Sequence, residues 1–125
     1  MPHSQRKGKN GELQLCQFLR EQGLRGIIER SQQHCGKGGE SGDLYIPEMP
    51  WLHLECKRTE RMQPYSFIEQ AELDARAREA RDPERTFLPI VFARSSRKPW
   101  IMICEGSIGA DLLRGWQEFV PPLQD

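Results

Sequence analysis

The chain has 125 residues, enough for one compact core and too few for a two-domain enzyme with a separate cofactor domain. Lys and Arg together number 18, as do Asp and Glu, so the formal net charge is zero, which by itself argues against a nucleic-acid partner. No apolar run approaches the roughly 20 residues of a membrane-spanning helix. No apolar stretch follows the basic amino end, so we expect neither a membrane anchor nor a secretory signal.

The cysteines are far apart in sequence and form no Cys-x-x-Cys pair. They are Cys16, Cys35, Cys56 and Cys104. Without a secretory signal, this spacing disfavours a disulfide framework and predicts a reducing compartment, the cytoplasm of a bacterial or phage-infected cell. Structural zinc is an alternative because His34 precedes Cys35 and His53 lies three residues before Cys56, although the usual paired ligands are missing.

The first predicted element is a helix over residues 10–22. Asn10 is a suitable N-cap and Gly23 a suitable stop. The apolar stripe of this helix consists of Leu15, Cys16 and Leu19. Residues 1–8 are predicted to be a flexible basic segment ahead of it.

Turn residues and alternating patterns predict the remaining elements. They are a strand at 25–30, a glycine-rich loop at 34–42, strands at 43–46 and 51–57 joined as a hairpin, a helix at 64–81, strands at 86–94 and 100–104, and a helix at 107–116. The last helix is expected to bury Ile108, Leu112 and Trp116, and residues 105–125 form a carboxyl-terminal helix and tail. The order α-β-β-β-α-β-β-α predicts a single α/β domain with a mixed sheet flanked by helices.

The strand at 51–57 carries the residues that point to chemistry. Its side chains alternate, so one face is predicted to be core: Leu52, Leu54 and Cys56. The opposite face is polar or amphipathic: Trp51, His53, Glu55 and Lys57. The hairpin places Asp43 opposite Glu55 to within one residue, with side chains about 5 Å apart. Two carboxylates this close repel unless a cation lies between them, and Mg²⁺ binds carboxylates together with water and phosphate oxygens.

Glu12 extends the apolar stripe of the first helix, which is an unusual position for a carboxylate. We expect it to lie at the end of that helix, within reach of the same ion. The alternative is that Glu12 is a first-turn acid that complements the helix dipole.

These residues resemble the PD-(D/E)XK nuclease superfamily, and most closely its Holliday junction resolvase-like and phage-encoded endonucleases. The likeness covers residues 5–104 and rests on Gly42-Asp43, eleven intervening residues, and Glu55-Cys56-Lys57, after a helix with Glu12. The opening Lys7-Gly8-Lys9-Asn10-Gly11-Glu12, Ser31 and the helical Gln70 add to it. Gly42 stands where the superfamily pattern has proline. The resemblance implies a restriction-endonuclease-like αβββαβ core.

The resemblance also implies a DNA endonuclease that hydrolyses phosphodiester bonds with Mg²⁺ or Mn²⁺ and no organic cofactor. Glu12, Asp43, Glu55 and the Cys56 carbonyl would hold the ion. Lys57 would orient or deprotonate the attacking water, and Gln70 would help place it. The implied substrate is branched DNA, cut by a homodimer in recombination or repair. The alternatives are a nicking, restriction-like or end-processing nuclease, and a DNA-binding module that has lost catalysis.

Clustered cations are predicted to contact DNA phosphates. With one hydroxyl, the predicted contacts are Arg6, Lys7, Lys9, Arg30, Ser31, Lys37, Arg58, Arg94, Arg97 and Lys98. Arginines that alternate with acids along the second helix are instead predicted to be a solvated face: Arg76, Arg78 and Arg81. Because three acids are assigned to a metal and the residues after Cys104 are acidic, the zero net charge predicts a polarised surface and does not exclude DNA.

Overall fold

A computed structural model describes residues 2–29 and 43–119, with side chains for 10–27 and 43–119. The helices are α1 (Pro2–Glu21), α2 (Pro64–Arg81) and α3 (Gly106–Phe119). The strands are β1 (Ile28–Glu29), β2 (Leu44–Tyr45), β3 (Leu52–Arg58), β4 (Leu88–Arg94) and β5 (Ile101–Ile103). Among these residues the order of elements is the predicted one, and the domain is α/β.

The described strands form one five-stranded mixed sheet in the order β1-β2-β3-β4-β5. The pair β3 and β4 is parallel, with Leu54 beside Ile90, and helix α2 makes the crossover between them. The other neighbours are antiparallel, and the hairpin of β2 and β3 pairs Leu44 with Leu54.

Alternation along β3 and β4 sends side chains into two separate cores. The larger core lies under α1 and consists of Leu15, Cys16, Leu19, Ile27, Leu44, Ile46, Leu54 and Ile90. The smaller core lies under α2 and consists of Ile68, Ala71, Val91 and Ala93. The predicted core face of β3 is confirmed, since Leu52 and Cys56 also pack on the larger core.

Helix α1 begins at Pro2, so the predicted start at Asn10 is wrong and the segment expected to be flexible is helical in its backbone. Proline is tolerated in a first helical turn, where its missing N–H has no partner to lose. Residues 2–9 contain no apolar period, so the sequence shows no helical pattern there. The predicted stop is confirmed: Gly23 has φ +99°, its N–H bonds the Arg20 carbonyl, and Leu24 bonds the Leu19 carbonyl.

Helix α2 has the predicted bounds, but α3 departs from its prediction. Of the side chains expected to be buried, Ile108 is half-buried on the larger core, whereas Leu112 is 43% and Trp116 is 67% exposed. Leu112 and Ile108 line an apolar cavity of about 430 Å³ together with Trp51, which therefore does not share the His53 face. The apolar stripe of α3 faces this cavity and solvent, because no described element covers it.

Among the described residues, no helix is long and apolar enough to cross a membrane.

Candidate metal centre on strand β3

The hairpin brings Asp43 beside Glu55, as predicted. Leu44 pairs with Leu54, and the Asp43 N–H donates to the Leu54 carbonyl at 2.8 Å, so Asp43 is in register with Glu55. The Asp43 carboxylate then accepts the Cys56 N–H at 2.8 Å through Oδ2. This bond fixes one oxygen of Asp43 against the backbone of the strand that carries Glu55.

Glu55 is buried against His53 on the α2 side of the sheet. Glu55 is 7% exposed, and His53 is fully buried. The His53 Nε2 lies 2.9 Å from Glu55 Oε2, and the His53 Nδ1 lies 3.4 Å from Nη1 of Arg78. Both ring nitrogens of a buried histidine are thus satisfied, one by an acid and one by a base.

Helix α2 adds a third acid to the site. Asp74 hydrogen-bonds Glu55 through its side chain, and Gln70 Nε2 donates to Asp74 Oδ1 at 3.1 Å. Within the described part of the chain, His53, Glu55 and Asp74 offer potential metal-ligand atoms within 4.8 Å of one another. Gln70 therefore lies at the site, as predicted, and contacts Asp74.

The three acids of the site differ in the direction in which the protein shifts their pKa. Burial raises the pKa of Asp43, and the charge of Glu55 raises it further against the opposing Cys56 N–H and Lys57. Burial and the Glu55 hydrogen bond raise the pKa of Asp74. Burial also opposes ionisation of Glu55, but hydrogen bonds from His53 and Asp74 outweigh it and lower the pKa of Glu55. Glu55 is thus the most readily ionised of the three acids, and Asp43 and Asp74 ionise less readily than an ordinary aspartate.

Lys57 shares the Glu55 side of the strand, as predicted. Its charge lowers the pKa of both Asp43 and Glu55. The Lys57 ammonium lies 5.8 Å from the centroid of the Phe67 ring at the start of α2. The ammonium therefore lies over the face of an aromatic ring and is close enough to Asp43 and Glu55 for its charge to act on both.

The Cys56 side chain faces α1, the helix that carries Glu12. The Cys56 side chain packs on the larger core, and burial, followed by the charges of Asp43 and Glu12, raises the pKa of its thiol. Helix α1 comes close here, because a Cβ at Gly11 would lie 2.6 Å from Arg58 Cγ. Glu12 is half-buried and close enough to Cys56 for its charge to raise the pKa of that thiol, and it is not a member of the group formed by His53, Glu55 and Asp74. Its role as a metal ligand stays a prediction.

The described DNA-binding candidates lie at the carboxyl ends of β3 and β4. Arg58 pairs with Arg94 in the parallel register, and Arg97, with φ 63°, and Lys98 follow in the next turn. Arg58 Nη1 donates to the Arg94 carbonyl at 3.2 Å, and Arg94 Nε donates to the Lys98 carbonyl at 2.7 Å. Side chains of the other candidates lie outside the described residues: Arg6, Lys7, Lys9, Arg30, Ser31 and Lys37.

Sequence reasoning missed the contributions of His53, Asp74 and Arg78. The prediction that Arg78 is solvated is wrong: its guanidinium lies 3.9 Å from the Phe87 ring centroid, and Nη1 lies 3.4 Å from the Leu52 carbonyl oxygen. The available signal was spacing, since Asp74 and Arg78 follow the buried Ala71 by three and seven residues on one helical face. Charge alternation concealed that signal.

No protein-family model, curated protein or solved structure matches the chain.

Proposed function

We propose that the protein is a Mg²⁺- or Mn²⁺-dependent DNA endonuclease of the PD-(D/E)XK type, with a restriction-endonuclease-like αβββαβ core. The supporting fold observation is the run from α1 to β4, in which a three-strand antiparallel unit is followed by a helical crossover to a parallel strand. Asp43 precedes β2, and Glu55 and Lys57 lie on β3 within that run.

The observation that carries the proposal is the pairing of Asp43 with Glu55 next to Lys57. Two acids in register, one of them with a raised pKa, form a donor set of hard oxygens that suits a divalent cation. Asp43, Glu55 and the Cys56 carbonyl are the proposed ligands, with Glu12 approaching from α1. A divalent ion held by these residues would supply positive charge to the scissile phosphate and lower the pKa of a water molecule.

The remaining chemistry belongs to side chains of this chain. We assign Lys57 to the attacking water, which it orients while its ammonium offsets negative charge that develops on the phosphate. The Phe67 ring beneath Lys57 restricts where the ammonium can lie. Gln70 acts through Asp74, which it holds against Glu55.

DNA is proposed to approach along the carboxyl ends of β3 and β4. Arg58 and Arg94 lie side by side there, and Arg58 directly follows Lys57 along β3. Phosphate contacts by such a cluster position a backbone without reading sequence, which suits an enzyme selective for branched DNA. A homodimer fits two symmetric cuts, and the exposed Trp116 and Phe119 on α3 support self-association.

The test is cleavage of labelled four-way junction, flap, linear duplex and single strand, with Mg²⁺ or Mn²⁺, by wild type and Asp43→Asn. We expect metal-dependent cutting of the junction by wild type and none by the variant. Equal cutting of duplex and junction would keep the nuclease and reject selectivity for branched DNA. Absence of cutting by wild type on every substrate, with DNA still bound, would favour an inactive binding module.

A further inference from the structure

His53 is the fully buried ionisable side chain at the centre of the site, and its environment determines which ring nitrogen carries the proton. The Arg78 guanidinium has only N–H donors, so the 3.4 Å contact is a hydrogen bond only in the tautomer whose Nδ1 accepts, and we assign that tautomer to His53. The proton then resides on Nε2, which donates to Glu55 Oε2 at 2.9 Å. The direction of both hydrogen bonds follows from the identity of one arginine.

Arg78 is itself held in place by two further contacts. Its guanidinium lies 3.9 Å from the Phe87 ring centroid, and Nη1 lies 3.4 Å from the Leu52 carbonyl oxygen. Phe87 is almost completely buried, so the platform under the guanidinium is rigid. Arg78 therefore presents a fixed donor to His53.

This polarity prevents His53 from acting as a metal ligand. Coordination through Nε2 requires an unprotonated Nε2, which moves the proton to Nδ1 and sets two donors, Nδ1–H and the Arg78 guanidinium, against each other. Although His53, Glu55 and Asp74 lie close enough to share an ion, the imidazole faces the site with an N–H and not a lone pair. What is offered to an ion is oxygen.

We propose that His53 and Arg78 are positioning residues: His53 fixes the Glu55 carboxylate, Arg78 fixes the His53 tautomer, and together they restrict the site to oxygen ligands. This inference rests on the proposed function, since it assumes that Glu55 binds a divalent ion. An all-oxygen site favours hard ions such as Mg²⁺ and Mn²⁺, whereas an available imidazole favours Zn²⁺. Arg78 thereby determines which class of ion the site accepts.

The first measurement is the tautomer of His53, read from two-bond ¹H–¹⁵N correlations of histidine-labelled protein. The chain has three histidines, so His53→Gln assigns the signal. We expect the Nε2–H form in wild type, unchanged when Mg²⁺ or Zn²⁺ is added. A proton on Nδ1, or a shift of Nε2 to a metal-bound value with Zn²⁺, would overturn the proposal.

The second measurement is ion affinity by calorimetry for wild type, His53→Leu, His53→Gln and Arg78→Met. Loss of a partner that orients a metal ligand typically costs about 10–100-fold in affinity. We expect that loss of Mn²⁺ affinity in His53→Leu and a smaller loss in His53→Gln, which keeps an N–H donor. In Arg78→Met we expect Zn²⁺ affinity to rise about tenfold, with Nε2 becoming metal-bound. This gain should disappear when His53→Gln is added.

Arg85→Met is the matched control, because Arg85 is exposed, pairs with Asp82 at 3.5 Å and is not part of the site. It should leave both affinities and the His53 signal unchanged. Circular dichroism shows that each variant is folded before its affinity is compared. Equal Mn²⁺ losses in His53→Leu and His53→Gln, or no Zn²⁺ gain in Arg78→Met, would refute the inference. Normal ion binding without DNA cleavage would instead refute the proposed function.

Discussion

Asp43→Asn tests whether the two acids of the β2–β3 hairpin, Asp43 and Glu55, are held together at a cost to folding. Asn is nearly isosteric and can still accept the Cys56 N–H that Asp43 accepts at 2.8 Å. The substitution therefore removes a charge while keeping the hairpin geometry. We expect the metal-free variant to be more stable than wild type, an unusual result for replacing a half-buried side chain.

The size of the effect follows from the register. Side chains directly opposite in an antiparallel pair lie about 5 Å apart, and two unit charges at that separation repel by about 3 kcal/mol at an effective dielectric constant of about 20. Replacing a charged acceptor of the Cys56 N–H by a neutral one costs about 1 kcal/mol. The free energy of unfolding should therefore rise by about 2 kcal/mol, less the share of repulsion that Lys57 already offsets.

The assay is urea unfolding in EDTA and in Mn²⁺, combined with Glu55→Gln in a double-mutant cycle. Mn²⁺ should stabilise wild type by mass action and leave Asp43→Asn unchanged. Asp82→Asn, at a half-exposed acid paired with Arg85, is the control and should shift stability by no more than about 0.5 kcal/mol. Destabilisation by Asp43→Asn in EDTA, or a coupling energy near zero, would refute the reasoning.

Further expectations concern catalysis, pH, packing and assembly. Lys57→Ala should reduce cleavage about 10²–10⁴-fold while Mn²⁺ affinity, measured by calorimetry, stays within about threefold. Burial raises the pKa of Asp43 above 3.8, so the folded state holds this proton more tightly than the unfolded state does. In EDTA the difference in stability between Asp43→Asn and wild type should therefore vanish in acid and grow as the pH rises through the raised pKa. A difference that stays constant across pH in urea melts would contradict this. Gly11→Ala should lower the melting temperature because its Cβ meets Arg58 Cγ, whereas Gly115→Ala, with open space, should stabilise α3 by about 0.5–1 kcal/mol. Trp116→Asp should convert the proposed dimer to monomer in sedimentation, with little change in melting temperature, since Trp116 is 67% exposed within one chain; an unchanged sedimentation coefficient counts against α3 as the interface.

Local sequence patterns predicted strand β3, helix α2 and the β2–β3 hairpin. Alternation in β3 separated Leu54 from Glu55, and Pro64 with Asp82-Pro83 marked both ends of α2. The hairpin spacing brought Asp43 to Glu55 because register in a short hairpin leaves few alternatives. These features depend on residues close together in the chain, and such features can be predicted from a single sequence.

The remaining features depend on contacts between elements distant in sequence. His53 meets Arg78 only after the β3–α2 crossover folds back, so neither residue alone signals the pair. Arg78 appeared solvated because its neighbours in sequence are charged, yet Phe87 from the next loop provides its platform. Residues 2–9 form a helix without an apolar period, and α3 carries a period without a described surface to cover it.

The most direct test of the central claim is incubation of wild-type protein with a labelled four-way junction in Mg²⁺, against the same reaction in EDTA and with Glu55→Gln. The account predicts paired cuts near the branch point in Mg²⁺ and intact junction in the other two reactions. Cutting that persists in EDTA or in Glu55→Gln would contradict a metal centre on β3. An intact junction in every Mg²⁺ and Mn²⁺ reaction would contradict the proposed activity.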